Sequence, residues 1–445
     1  MTTGLDMTAN GSVTPLTLAD AARLGDYLRQ GAKPSALWRC GLELELFGYT
    51  ADTWKRLNPS QVARVLQLLA KDGRALSCEE GHPSEVLWNT SGARITLEPG
   101  GQIEFSGAPY QKLADIAAEA QGFLARLHEV AESQGFIFIA CGFDPVRRAD
   151  EQHWYPKPRY RIMKPYLATR GRRAWDMMCR TCGAQVNLDY YTDADLVRKF
   201  SVAYRLAPIV AALCANSPLA EGRPSGYQST RQAVWLDTDA ARTNLSLPDT
   251  FTVEDYVAYA LSVPMLFARR GTFYSDAPTG LAFRDFLAGA CSSVLPVKSD
   301  WADHLTTIFT DARLKQYLEI RSADSASFAQ TMALMALWKG LLYHAETLAQ
   351  AWDLGPRLSI IQNQELRAAI ARDGLRAEAA GVSVRELAKS VVMLAHQGLA
   401  QQAKDETHWL APLEQAAAEG RTAADIILQN WHGQLENALR QWRVA

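Results

Sequence analysis

An α+β fold is predicted, built on a curved, mainly antiparallel sheet whose polar face forms a carboxylate-lined cavity, with flanking helices and a helical C-terminal region. Three observations predict it. Strands and helices alternate without the regular β-α-β order of a doubly wound parallel sheet. Several strands share one design, aliphatic on one face and carboxylate, amide or arginine on the other. With 445 residues, 48% of them hydrophobic, the chain can also bury a large core.

In chain order, residues 17 to 31 and 60 to 72 carry the apolar spacing of helices, with Ser60 placed to cap the second. "GLELELFGYT", residues 41 to 50, alternates as a strand, and "ARITLEPGGQIEFSG" reads as strand, Pro-Gly-Gly turn and strand. "KLADIAAEAQGFLARLHEVAESQG" is a long helix ended by Gly135, followed by the buried strand "FIFIACGFDP". Residues 205 to 215 look helical and "NSPLAEGRPSGYQSTR" reads as loop. Near the C-terminus, Leu387, Val391, Leu394 and Leu399 give a helix one apolar face. No repeat or low-complexity linker intervenes, so residues 1–445 are read as one domain, with a sheet-containing core over 1–325 and a helical scaffold over 326–445.

The polar stripe recurs from strand to strand. Glu43 and Glu45 share a face opposite Leu42, Leu44 and Leu46; Glu98 closes "RITLE", and Gln102 and Glu104 follow beyond the turn. Gln185, Asn187 and Asp189 share a face opposite Val186 and Leu188, as do Glu319 and Arg321 opposite Leu318 and Ile320. These faces hold almost no Thr, Ser or Lys, the usual residues of a wet sheet surface. Brought together, five carboxylates repel by several kcal/mol, which protonation or bound cations must offset. Oxygen-only donors suit Mg²⁺ or Mn²⁺ rather than zinc, and Arg321 adds an anion-binding group. There is no GxxxxGK[ST] loop and no GxGxxG after a strand, so a nucleotide is expected to be held mainly through metals.

Composition excludes other classes. The 46 basic and 48 acidic residues nearly cancel and form no basic block, which argues against nucleic acid and anionic membranes and for small-molecule substrates. The opening "MTTGLDMTANGSVTPLTLAD" lacks a leader pattern and no apolar run is long enough to span a bilayer, so a cytoplasmic location is expected. The seven cysteines are odd in number and dispersed; Cys179 and Cys182 have CxxC spacing without a second pair and are read as packed, reduced thiols. His304 is read as a structural hydrogen-bonding residue.

"LEPGGQIEFSGAP", "PRYRIMKPYL", "DMMCRTCGAQVNLD", "DADLVRKF", "ANSPLAEGRPSGYQSTRQAVWLDTDAAR", "FRDFLAG", "DHLTTIF" and "RLKQYLEIRSAD" resemble, in order, glutamate–cysteine ligases of the plant and proteobacterial type, from about residue 38 to "NWHGQ". The resemblance implies a glutamine synthetase-like fold and an ATP- and Mg²⁺-dependent amide bond between the side-chain carboxylate of glutamate and the amine of cysteine, the first step toward glutathione or a related thiol. Carried over by position, Glu43, Glu45, Glu98, Glu104, Gln185 and Glu319 become metal ligands or their neighbours, and Arg321 the catalytic arginine that meets phosphate. Asn187 joins Arg321 on the nucleotide side. Trp235 and Arg242 are expected over the glutamate substrate, with Arg159, Arg180 and Lys164 as further anion-binding groups. One departure stands out: the family's first strand has His between its glutamates and Lys after them, whereas this chain has Leu44 and Leu46. That leaves open a ligase of the same mechanism acting on another amine. A catalytically silent relative is a further reading, against which stands the retained charge cluster.

Overall fold

The computed structural model describes residues 15–71 and 74–444. Nine strands form one sheet: β1 Cys40–Thr50, β2 Leu76–Glu79, β3 His82–Leu87, β4 Arg94–Leu97, β5 Ile103–Ser106, β6 Phe136–Ile139, β7 Gly183–Leu188, β8 Ala312–Leu314 and β9 Leu318–Asp324. Their order is β8-β9-β7-β1-β5-β4-β3-β2, with β6 beside the C-terminal half of β1, and every pairing is antiparallel. The α+β expectation is met.

Register turns the alternation into a row. Glu45 lies opposite Glu104, which lies opposite Thr96; Glu43 lies opposite Gln185, Asn187 opposite Glu319, and Glu319 opposite Arg313. Because side chains alternate across a strand, these residues share one face. The other face, Leu42, Leu44, Leu46, Ile95, Phe105, Val186, Leu188, Leu318 and Ile320, belongs to the main core. The helices Leu113–Gln134, Asp193–Leu213 and Phe328–Leu342 are apolar along their inner sides and cover it.

Local chemistry explains the element ends. The helix at Pro59–Leu69 is capped by Asn58, whose carboxamide oxygen accepts from the Gln61 N–H, with Pro59 in the first turn; Ser60, expected as the cap, donates its hydroxyl to Asn58. Residue 72, the expected end of that helix, lies outside the described residues, as do residues 1–14 of the opening. The helix Leu113–Gln134 ends at Gly135 in the left-handed region, φ 68°. The expected helix at 205 to 215 is the second half of a longer one, Asp193–Leu213, capped by Thr192. Beyond β9 the chain is helical apart from the small ribbon Glu378–Ala379/Val382–Ser383. Among the described residues no helix is long and apolar enough to cross a membrane.

Candidate active site

Strands β8 and β5 stand four strand spacings apart, roughly 19 Å in a flat sheet. Yet Arg313 of β8 and Glu104 of β5 line one cavity of about 290 Å³, so the polar face is concave. The cavity has two ends of opposite chemistry and an apolar wall.

At the first end stand Glu43, Glu45, Glu98 and Glu104. Glu45 accepts from the Gly183 N–H at 2.7 Å and from Gln185 at 2.9 Å; Glu43 accepts from Asn187 at 2.8 Å, and Glu104 from Thr96 at 2.7 Å. Burial, followed by repulsion from Glu319 and Glu104, pushes Glu43 up to about 7. Burial, with Glu98 and Glu104 next, pushes Glu45 up to about 8, and burial and Glu98 raise Glu104. Glu98 sits in the turn joining β4 to β5: the Gly101 N–H donates to the Glu98 carbonyl at 2.9 Å, and Gly101 has φ 76°, so the Gly-Gly pair makes a turn and not a phosphate cradle.

The second end is cationic, formed by Arg231, Arg313, Lys315 and Arg321, while Arg159 lines the cavity on the side of the Glu98 turn. Behind it lies Glu319, 0% exposed, paired with Arg313 at 2.6 Å, Lys315 at 2.6 Å and Arg321. Despite burial, these three cations hold its carboxyl well below the usual range. Arg321 also donates to Gln185 at 2.7 Å, so one carboxamide links it to Glu45. Arg231 donates to the Arg321 and Ser322 carbonyls, bracing the irregularity in β9 between Ile320 and Ala323. Met163, Met177, Met178, Trp235, Phe267 and Phe309 supply the apolar wall.

Several expected roles change. Glu319 is the counter-ion of the cation group and does not line the cavity. Gln185 lines the cavity with its oxygen accepting from Arg321 and its amide donating to Glu45, so it bridges the two ends. Asn187 holds Glu43 and stands behind the cavity rather than in it. Arg242, 0% exposed, is spent on Asp239 at 3.0 Å, on Thr307 at 3.1 Å and on the Pro264 carbonyl, fixing the loop behind Thr307 and Phe309. Arg180 pairs with Asp176 at 2.9 Å over the Phe143 ring, and Lys164 lies 4.6 and 5.1 Å from the Trp154 and Trp175 ring centres; neither reaches the cavity. Trp235 and Arg159 do line it. Cys179 and Cys182 are buried and raised in pKa by that burial, and the His304 Nε2–H donates to the Ala260 carbonyl, 2.9 Å away, with burial pushing its pKa down to about 3. Sequence reasoning missed Arg231, Arg313 and Lys315.

Among the described residues no three His, Cys, Asp or Glu are already gathered around one point as metal ligands. The donor chemistry nevertheless fits a hard divalent cation: four half-buried carboxylates with free lone pairs, three of them raised toward protonation by burial and by repulsion from neighbouring carboxylates.

The model of glutamate–cysteine ligase family 2 matches residues 39–441. The chain belongs to that family. Among the relatives of this family 2 protein are the chloroplastic glutamate–cysteine ligases of Brassica juncea, 39% identical over 428 residues (94% of this chain, 82% of theirs), and of Medicago truncatula, 38% identical over 433 residues (96% and 84%). The fold is shared with the glutamate–cysteine ligase of Francisella tularensis, solved in complex with AMP, at TM-score 0.58 and 12% identity over 91% of this chain and 87% of that one. The expected cytoplasmic location does not stand against the named family 2 relatives, which are chloroplastic.

Proposed function

We propose that this family 2 chain is an ATP-dependent ligase that forms γ-glutamylcysteine from glutamate and cysteine through a γ-glutamyl phosphate. The observation that carries the reading is the pairing, in one cavity, of a carboxylate end and a cation end linked by Gln185. Arg321, Arg313 and Lys315 stand where a transferred phosphoryl group is met and its charge offset. Glu43, Glu45, Glu98 and Glu104 would hold Mg²⁺ or Mn²⁺, which when bound neutralises charge on the phosphates. Arg159 is free to meet a carboxylate, and the methionine and aromatic wall keeps water from the acyl phosphate. The cysteine amine then attacks the acyl carbon and phosphate leaves. No enzyme nucleophile is required.

The helix Phe328–Leu342 packs on β1 and β7, which supports reading the whole chain as one catalytic unit with residues 326–445 as its scaffold. Leu44 and Leu46, where the chain departs from the family pattern, are core residues and do not line the cavity, so the departure gives no ground for another amine. Phosphate release from ATP with glutamate and a panel of amines tests the reading. Release that depends on cysteine and on a divalent cation is expected. Release with a different amine, or none with any, would overturn it.

A further inference from the structure

Every cation at the cavity but one is held by a strong anchor. Arg313, Lys315 and Arg321 share the Glu319 carboxylate, and Arg231 is fixed by two backbone carbonyls. Arg159 is different. Among the described residues it forms no ion pair, and its side chain makes one hydrogen bond, from Nη2 to the Tyr160 hydroxyl at 3.1 Å. The guanidinium lies 5.0 Å from the Tyr160 ring centre.

That hydroxyl is itself fixed. It donates to the Leu97 carbonyl at 2.7 Å, so its proton is committed and a lone pair is turned to Arg159. Leu97 directly precedes Glu98. The same carbonyl accepts from the buried Lys157 ammonium at 3.0 Å, and the Tyr155 N–H donates to the Pro99 carbonyl at 2.7 Å. Residues 155–160 therefore grip the turn that carries Glu98 while presenting Arg159 to the cavity.

We propose that Tyr160 is a positioning residue, its hydroxyl aiming Arg159 at an anionic group of the substrates and tying that cation to the Glu98 turn. The proposal rests on the ligase reading above, in which Arg159 meets a carboxylate or a phosphate. An arginine held by a single neutral acceptor swings among rotamers once that acceptor is removed, and ordering it again on binding costs affinity.

Tyr160→Phe removes only the hydroxyl: the ring stays under Arg159, and Lys157 still holds Leu97. Steady-state kinetics with glutamate and ATP varied separately are measured for the parent, Tyr160→Phe, Arg159→Lys and the double variant, together with thermal unfolding. The expected result is an increase of about tenfold in the KM of one substrate, equivalent to one lost hydrogen bond to a charged group. The unfolding temperature should be unchanged and the double variant no worse than Arg159→Lys alone. A rise confined to glutamate identifies a carboxylate as the anion, and one confined to ATP a phosphate. An unchanged KM, a penalty that multiplies in the double variant, or a lowered unfolding temperature with no kinetic selectivity would overturn the positioning role. A parent protein that releases no phosphate with any amine would instead overturn the ligase reading, and the proposal with it.

Discussion

The two ends of the cavity treat carboxylates in opposite ways. Glu319 is wholly buried yet held low by the three cations around it, while Glu43, Glu45 and Glu104 are raised toward protonation, first by burial and then by repulsion from neighbouring carboxylates. A residue type and a strand face therefore do not set the role; the neighbours across the sheet do. Glu319 faces Arg313 of β8, whereas Glu45 faces Glu104. The first arrangement is complete in the protein alone. The second gathers carboxylates with no such counter-ion among the described residues, which is the arrangement the proposed cation would complete.

The largest effect should come from breaking the complete end. Glu319→Gln leaves Arg313, Lys315 and Arg321 with no counter-charge, and removing one partner from a buried charged group typically costs about 3–5 kcal/mol. A clear fall in the denaturant midpoint is expected along with loss of turnover; an unchanged midpoint would remove Glu319 from its place as the hub. Glu45→Gln should do the reverse to stability. It removes a repelled charge, so at neutral pH the variant should unfold no earlier than the parent, while turnover falls roughly 100-fold or more as a carboxylate that would hold the proposed cation is lost. Calorimetry and phosphate release on the same preparations would separate the two glutamates.

The contrast also fixes a pH dependence. In the unfolded chain Glu43 and Glu45 ionise near 4.5, but in the fold only near about 7 and about 8. Between those values the folded state binds the extra protons, so these groups favour folding below 4.5 and lose that contribution as pH rises to about 8. Glu319, lowered in the fold, contributes above the ordinary carboxylate value and loses its contribution only in acid. Metal-free protein should thus show an unfolding temperature that falls from mildly acidic to mildly alkaline pH. Millimolar Mg²⁺ should flatten the alkaline side in the parent and do so less in Glu45→Gln. A metal effect equal in both proteins would place the cation elsewhere.

Much of the carboxylate end was legible because period-two alternation in β1, β5 and β7 puts Glu43, Glu45, Glu104 and Gln185 on one face without knowledge of the topology. The cation end was only partly so. Arg313 and Lys315 alternate in "ARLKQYLEIR" as the glutamates do, but β8 has only three residues and disappears into its turn. Arg231 lies two residues past the helix cap Ser229, where no strand period marks it. Met177 and Phe267 look like any core residues until the cavity is seen beside them. Arg242 was expected over the glutamate substrate by resemblance of position, and its pairing with Asp239, three residues earlier in a short helix, comes from local geometry that the resemblance does not carry.

Lys164 gives the smallest and most selective test of the line between site and scaffold. Its position in "PRYRIMKPYL" suggested an anion contact, but its ammonium is sandwiched between Trp154 and Trp175, whose rings lie 6.1 Å apart at 78°. These rings stand ten and eleven residues away in the chain, so no local pattern announces the box. Exposed cation–π contacts contribute about 0.5–1 kcal/mol each, which bounds the effect. Lys164→Met keeps the length and apolar stem and removes the charge. It should lower stability by about 1 kcal/mol and leave the KM for both glutamate and ATP unchanged. A selective rise in either KM would return Lys164 to the substrate and show that the helix Pro158–Leu167 presents its Lys164 face, as well as its Arg159 face, to the cavity.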